Sequence, residues 1–239
     1  MESLILILVT GLSAGAAHVY LGLDHLAALM PLSQGKSKWQ ALTLGIRWGL
    51  GHSVGVLVVA LALIGIRELA LVEFNLEALG QFGDQVVGFL LIAIGLFGIK
   101  TALGEHVHSH AHTHDGQTHK HLHAHHEGHE PHEEVPHSHS RLHAHTAIVA
   151  GMIQGIAGVS YLWGVLPSLA LPLASALWYL LCFAVGSIIA MGAFAAGFGL
   201  LSEKFERSLP DLVRQARVTV SSLCIIVGGL WLANNVIPI

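Results

Sequence analysis

Four residues with metal-ligand chemistry stand where water is absent. His18, Asp24 and His25 lie inside the first long apolar stretch of the chain, and His52 lies inside the second. Residues 18–25 read His-Val-Tyr-Leu-Gly-Leu-Asp-His, and residues 49–53 read Gly-Leu-Gly-His-Ser. An aspartate at the centre of a membrane helix costs about 2.5–3.5 kcal/mol, so such a group needs a partner or a job. Imidazole and carboxylate together suit divalent transition metals. The other sixteen of the nineteen histidines fall between His106 and His145, in a polar segment. One set in an apolar setting and one in a polar setting point to movement of metal ions through a membrane.

Spacing constrains the apolar set. Residues seven apart share a face of a regular helix, but at about 1.5 Å rise per residue they are about 10.5 Å apart along its axis. Two imidazoles that far apart cannot share one ion, since metal–nitrogen bonds are about 2.0–2.1 Å. Two solutions follow. The helix opens near Gly22 and brings Asp24 and His25 back toward His18, or the histidines are successive stations along a path. A broken helix is tolerated where its freed backbone lines a cavity. His52 supplies a ligand from a second element, with Ser53 as a weaker contact or an orienting group. Asp24 is either a direct ligand or the group that fixes an imidazole. Arg47 either snorkels to the membrane surface or serves as counter-ion to Asp24. Against all of this stands a plainer reading, in which membrane histidines only hydrogen-bond neighbouring helices.

The elements that must hold these residues are helical. Of the 239 residues, 53% are hydrophobic and only 11% charged, with a mean hydropathy of +0.65. Soluble domains carry about 25% charged residues, so an all-α polytopic membrane protein is expected. Apolar runs cover 3–30, 40–64, 82–103, 147–172, 174–200 and 215–237, each long enough to cross a bilayer. The long stretch over 147–200 is divided at Pro172, because proline ends or kinks a helix. The expected organisation is a three-helix repeat over 1–103, a histidine-rich loop over 104–146 without regular structure in the absence of metal, and a second three-helix repeat over 147–239. The halves are weakly alike: Gly11 and Gly15 match Gly151 and Gly155, Met30-Pro31-Leu32 matches Leu171-Pro172-Leu173, and the Gly51 to Ser53 element is set against Gly186-Ser187. An odd number of helices per repeat makes the second half enter from the opposite side.

Charge sets the orientation. Of eleven lysines and arginines, all but Arg67 fall on or beside the connections after helices 1, 3 and 5. Positive connections are normally cytoplasmic, which puts the histidine loop inside and both termini outside. Glu2, and an apolar pattern that continues past Ala17, favour a retained first helix over a cleaved leader. Cys182 and Cys224 read as packing residues.

The polar histidines alternate with small residues: His106, His108, His110, His112 and His114, then His119, His121, His123 and His125. With Glu127, Glu130, Glu133, Glu134, Pro131 and Pro136 among them, the segment cannot bury a core. Dense neutral imidazoles capture nickel, cobalt, zinc or copper with little discrimination. No phosphate-binding Gly-x-x-x-x-Gly-Lys pattern and no His-Glu-x-x-His are present, so neither an ATPase nor a metallopeptidase is expected. The chain is not read as an enzyme.

The histidine-to-Asp-His stretch from His18 to His25, with the Leu50-Gly51-His52-Ser53 element, resembles signature stretches of the nickel–cobalt transporter superfamily. Six helices with a histidine loop after the third resemble its six-helix exporter branch and the membrane-type urease accessory proteins. The resemblance implies metal ligation by His18, Asp24, His25 and His52. It also implies Ni2+ or Co2+ as transported substrate, with no permanent cofactor, and a bacterial plasma-membrane setting. Partners would be the metal ions, the lipid bilayer, and a metallochaperone or nickel-enzyme assembly protein, with no nucleic acid. The eight-helix uptake branch carries further Asp-Thr motifs that this chain lacks, and the interval from His18 to Asp24 is one residue longer than usual there. The second reading is a membrane metal chaperone for urease or hydrogenase assembly that transports nothing itself.

Overall fold

In the computed structural model the described residues are 2–69, 76–114, 117–126, 139–158, 161–209 and 212–234. Their order is α1 (Glu2–Leu21), α2 (Leu23–Ser33), α3 (Lys38–Leu69), α4 (Leu76–Gly104), β1 (Glu105–His114), β2 (Gln117–His126), α5 (His139–Ala157), α6 (Tyr161–Leu169), α7 (Leu173–Ser208) and α8 (Val213–Asn234). Backbone polar groups have no water to bond in hydrocarbon, so the helix, which satisfies them internally, is the form the apolar runs take. The chain is an all-α membrane protein with one short ribbon.

Two apolar runs are not single helices. The run over 3–30 is α1 and α2, broken at Gly22. The run over 147–172 is divided between α5 and α6, and the apolar part of α5, His145–Ala157, is shorter than a membrane span. Among the described residues five helices, not the expected six, are long and apolar enough to cross a membrane. The expected division at Pro172 is found: α7 starts directly after it.

Close helix contacts run through glycine. Lipid is as apolar as leucine, so membrane helices gain little from hydrophobicity and associate by tight packing of small residues. Along α1, a Cβ at Gly11 or Gly15 would strike the backbone carbonyl of Tyr179 or Phe183 on α7. Along α5, Gly151 and Gly155 meet the carbonyls of Trp48 and His52 on α3. Gly51 and Gly55 return the contact on Ile148 and Met152. These paired registers make α1 parallel to α7, and α5 parallel to α3. Gly45 and Gly49 face Met191 and Ile188, and Gly88 and Gly95 face Gly228 and Ser221, so α3 opposes α7 and α4 opposes α8. Those directions bring the 34–37 connection, the 209–212 connection and the ribbon to one end of the bundle.

The buried core has two parts. Val19, Ala28, Leu29, Trp48, Val87, Leu91 and Met191 pack together in one, and Val56, Ala60, Val165, Tyr179, Leu180 and Phe183 in the other. Large side chains such as Phe89, Leu96, Trp178 and Ile189 are exposed on the outside, where lipid would meet them. Cys224 is buried and donates to the Leu91 carbonyl at 3.2 Å, and both cysteines are free thiols.

Where no regular structure was expected, β1 and β2 pair as an antiparallel ribbon. Its register sets His106 against His125, His108 against His123, His110 against His121 and His112 against His119. These eight, with His114, occupy alternate positions along the two strands. Residues 127–138, with the loop's glutamates and prolines, lie outside the described residues.

The glycine packing is testable. Gly186→Leu, whose added atoms would meet the Leu12 carbonyl, is expected to destabilise the bundle by about 1–3 kcal/mol or more, because backbone cannot step aside. Gly197→Leu, which meets open space, is expected to change nothing. Thermal unfolding of both variants in detergent checks the pair.

Candidate metal centre

Gly22 creates the site by ending α1. Its backbone is extended (φ −79°, ψ 99°) rather than helical. Its N–H still donates to the His18 carbonyl at 3.0 Å, and its own carbonyl accepts from the His25 N–H at 3.1 Å. The chain therefore turns within one residue and starts α2 at Leu23. A Cβ at Gly22 would collide with the His25 imidazole, so no larger residue fits beside that ring.

The turn replaces the axial separation of a straight helix with contact. The rings of His18 and His25 are 4.5 Å apart between centroids, edge to face. His52 arrives from α3, 5.3 Å from His18 and 4.8 Å from His25. His18 Nε2 and His52 Nε2 are 3.2 Å apart, and one ligand atom from each histidine lies within 4.8 Å of the others. Bonds of about 2.0–2.1 Å to a tetrahedral ion separate its ligands by about 3.3 Å. The His18–His52 pair meets that spacing, and His25 needs only a small inward shift.

All members are buried: His18 is 8% exposed, and Asp24, His25 and His52 are 1% exposed. Asp24 Oδ1 lies 3.0 Å from His25 Nδ1, at ion-pair distance but without the alignment of a hydrogen bond. Among the described residues, Asp24 Oδ1, both nitrogens of His25 and His52 Nδ1 have no hydrogen-bond partner. Each buried polar group left so costs about 1–3 kcal/mol. A cation can take a lone pair from Asp24 Oδ1 and one from each neutral imidazole, so unsatisfied atoms here favour its binding.

Two expected helpers are placed elsewhere. The Ser53 hydroxyl donates to the Ala184 carbonyl at 3.3 Å and ties α3 to α7 instead of facing the imidazoles. Arg47 is half-buried, and among the described residues the groups on the Asp24 carboxylate are His25 and Gln154, not Arg47. Side chains on a helix point in directions set by its 3.6-residue turn, and Arg47 and Ser53 each flank the Trp48-to-His52 face rather than share it.

Gln154 was missed. Its Nε2 donates to Asp24 Oδ2 at 3.1 Å, and its Oε1 accepts from Trp48 Nε1 at 2.7 Å. The available signal was an uncharged amide alone in the apolar run of α5, between Gly151 and Gly155. The loop histidines from His106 to His125 lie on the two strands of the ribbon, away from this cluster in sequence.

No family model matches the chain, and no solved structure does. It is similar to the Chloroplast protein FOR GROWTH AND FERTILITY 1 of Arabidopsis thaliana, 33% identical over 223 residues, covering 92% of this chain and 57% of that protein. The Chloroplast protein FOR GROWTH AND FERTILITY 2 of the same plant is 30% identical over 226 residues, covering 94% and 54%. The urease accessory protein UreH of Bacillus sp. (strain TB-90) is 25% identical over 212 residues, covering 82% and 78%. The chain thus spans little more than half the length of the two plant relatives. The third similarity is distant and agrees with the resemblance to membrane-type urease accessory proteins. None of the three carries the name of an enzyme.

Gly22→Ala is expected to displace the His25 ring, while Gly65→Ala, which meets open space, is expected to leave it alone. The imidazole nitrogen resonances of His25, assigned by their loss in His25→Ala, check this.

Proposed function

We propose that this chain is a secondary carrier of a divalent transition-metal cation, with nickel or cobalt the ions the family resemblance implies. The observation that carries the reading is the convergence of three buried imidazoles, His18, His25 and His52, beside the buried carboxylate of Asp24. Neutral imidazole and carboxylate donors discriminate poorly among the later first-row ions, so the choice of ion rests on the resemblance.

Carrier architecture is supported by the glycine contacts. Gly11 and Gly15 on α1 pack as Gly151 and Gly155 do on α5, each pair against carbonyls four residues apart on a partner helix. These contacts support an equivalence of α1–α4 with α5–α8, and the antiparallel α3–α7 and α4–α8 pairs support an inverted repeat. Each half then contributes three crossings built from four helices, because its first crossing is broken. On this reading Gly55, against Met152, corresponds to Gly186, against Leu12, one turn from the Gly51 pairing expected from sequence. Phe183 takes the place of His52 and packs 5.4 Å from His18. The ligands therefore come from the first half, and rocking of the halves would expose them alternately to the two sides.

The end of the bundle that holds Lys36, Lys38, Lys204, Arg207 and Arg214 is proposed to be cytoplasmic. The histidine ribbon leaves α4 at that end, where it would capture ions for the intramembrane site or receive them from it. A bacterial plasma membrane is the proposed setting; the names of the plant relatives make a plastid membrane the second.

The name of the UreH relative favours one other reading, an accessory factor that hands metal to an enzyme without carrying it across. Flux into liposomes holding only this protein separates the two. The carrier reading expects Co2+ or Ni2+ flux that His25→Ala or Asp24→Ala lowers at least about 100-fold, the upper part of the range for disturbed metal sites. Flux equal to that of empty liposomes would favour the accessory reading. Deleting 105–138 is expected to change the half-saturating concentration more than the maximal rate, and loss of the maximal rate would place the ribbon within the pathway itself.

A further inference from the structure

We infer that Gln154, oriented by Trp48, is a positioning residue: it occupies one oxygen of Asp24 so that the other faces the histidine cluster. The inference rests on the reading of that cluster as a cation site. A glutamine amide carries an acceptor at one end and donors at the other, and the ends can exchange unless a neighbour accepts only one of them. Trp48 is such a neighbour, because the indole N–H only donates. It lies 2.7 Å from Gln154 Oε1, which commits the amide oxygen to Trp48. The amide nitrogen is thereby turned to Asp24 Oδ2, 3.1 Å away. Reversed, the amide would set two acceptors against each other and leave the indole facing a donor.

The consequence falls on the free oxygen. Oδ2 is occupied, and Oδ1 has no hydrogen bond and lies 3.0 Å from His25 Nδ1. Trp48, Gln154 and Asp24 are each no more than 1% exposed, so water cannot substitute for Gln154. Backbone packing holds the amide in place: Gly151 and Gly155, on either side of it, lie against the carbonyls of Trp48 and His52. Trp48 and His52 are four residues apart on α3, one above the other. A single α3–α5 contact thus sets both the height of His52 and the plane of the carboxylate. Any slip of α5 along α3 moves the carboxylate against the ring it serves, which links the site to the half of the chain that contributes no ligand.

Cobalt binding tests this in the full chain in detergent micelles. The visible absorption of Co2+ that depends on His25 is the difference between the protein and its His25→Ala variant, which cancels the contribution of the loop histidines. In Gln154→Leu the midpoint of that band is expected to rise about 10- to 100-fold, the range for groups that orient metal ligands, with its shape altered and the loop contribution unchanged. Trp48→Phe keeps an aromatic ring and removes only the N–H donor. It is expected to shift the midpoint in the same direction by a smaller factor, and it carries the test where Gln154→Leu fails to fold. An unchanged midpoint and band shape in the folded variants overturns the positioning role and leaves the cation site standing. A complete lack of His25-dependent absorption overturns both.

Discussion

A straight helix cannot bring residues seven positions apart onto one small cation. Everything at the centre of this protein follows from how that constraint is met. The chain stops being helical at one residue, Gly22, and resumes at the next. The turn closes His25 on His18 until their rings touch. Because the His25 ring fills the volume a Cβ would need, glycine is required there by close approach and not by an unusual φ. The extended backbone costs little in hydrogen bonds, since Gly22 keeps one bond on each side of the break.

The third histidine comes by a different route. His52 is carried on an unbroken helix, and its depth is set by backbone contact with α5 through Gly151 and Gly155. Glycine at these positions lets carbonyl and Cα meet directly, which makes the register between helices stiff. The same contact buries Gln154 between Trp48 and Asp24. On the proposed carrier reading the ligands come from one half of the chain, but their placement is shared between the two. For a carrier that works by moving its halves, such sharing makes the donor geometry respond to their relative position.

The ribbon and the buried cluster use histidine in opposite ways. In the ribbon, period-two alternation in the sequence becomes a series of paired histidine positions through ordinary antiparallel register. Such an arrangement has many equivalent positions and suits capture with little selectivity. In the cluster, three imidazoles and one carboxylate are held by packing from several helices, and the donor set is small and fixed.

Much of this was legible in the residues themselves. Ionisable groups inside long apolar runs mark the candidate site, because burial in hydrocarbon is costly wherever it occurs. The break at Gly22 was one of two solutions that the seven-residue spacing allowed. Helix ends at Pro172 followed from local chemistry alone. Other features were not legible. The split of the fourth apolar run into α5 and α6 left its composition continuous, so hydropathy could not show it. Ser53 and Arg47 are neighbours of His52 in sequence, but helix geometry turns them to other partners. Gln154 is 130 positions from Asp24, and nothing local distinguishes it from a lone interhelical amide. Sequence by itself determined which residues bear metal chemistry and that they lie in apolar helices, because those properties belong to single side chains and short runs. Tertiary structure alone decided which of them meet and which distant amide orients them, because that depends on the register of helices packed backbone to backbone.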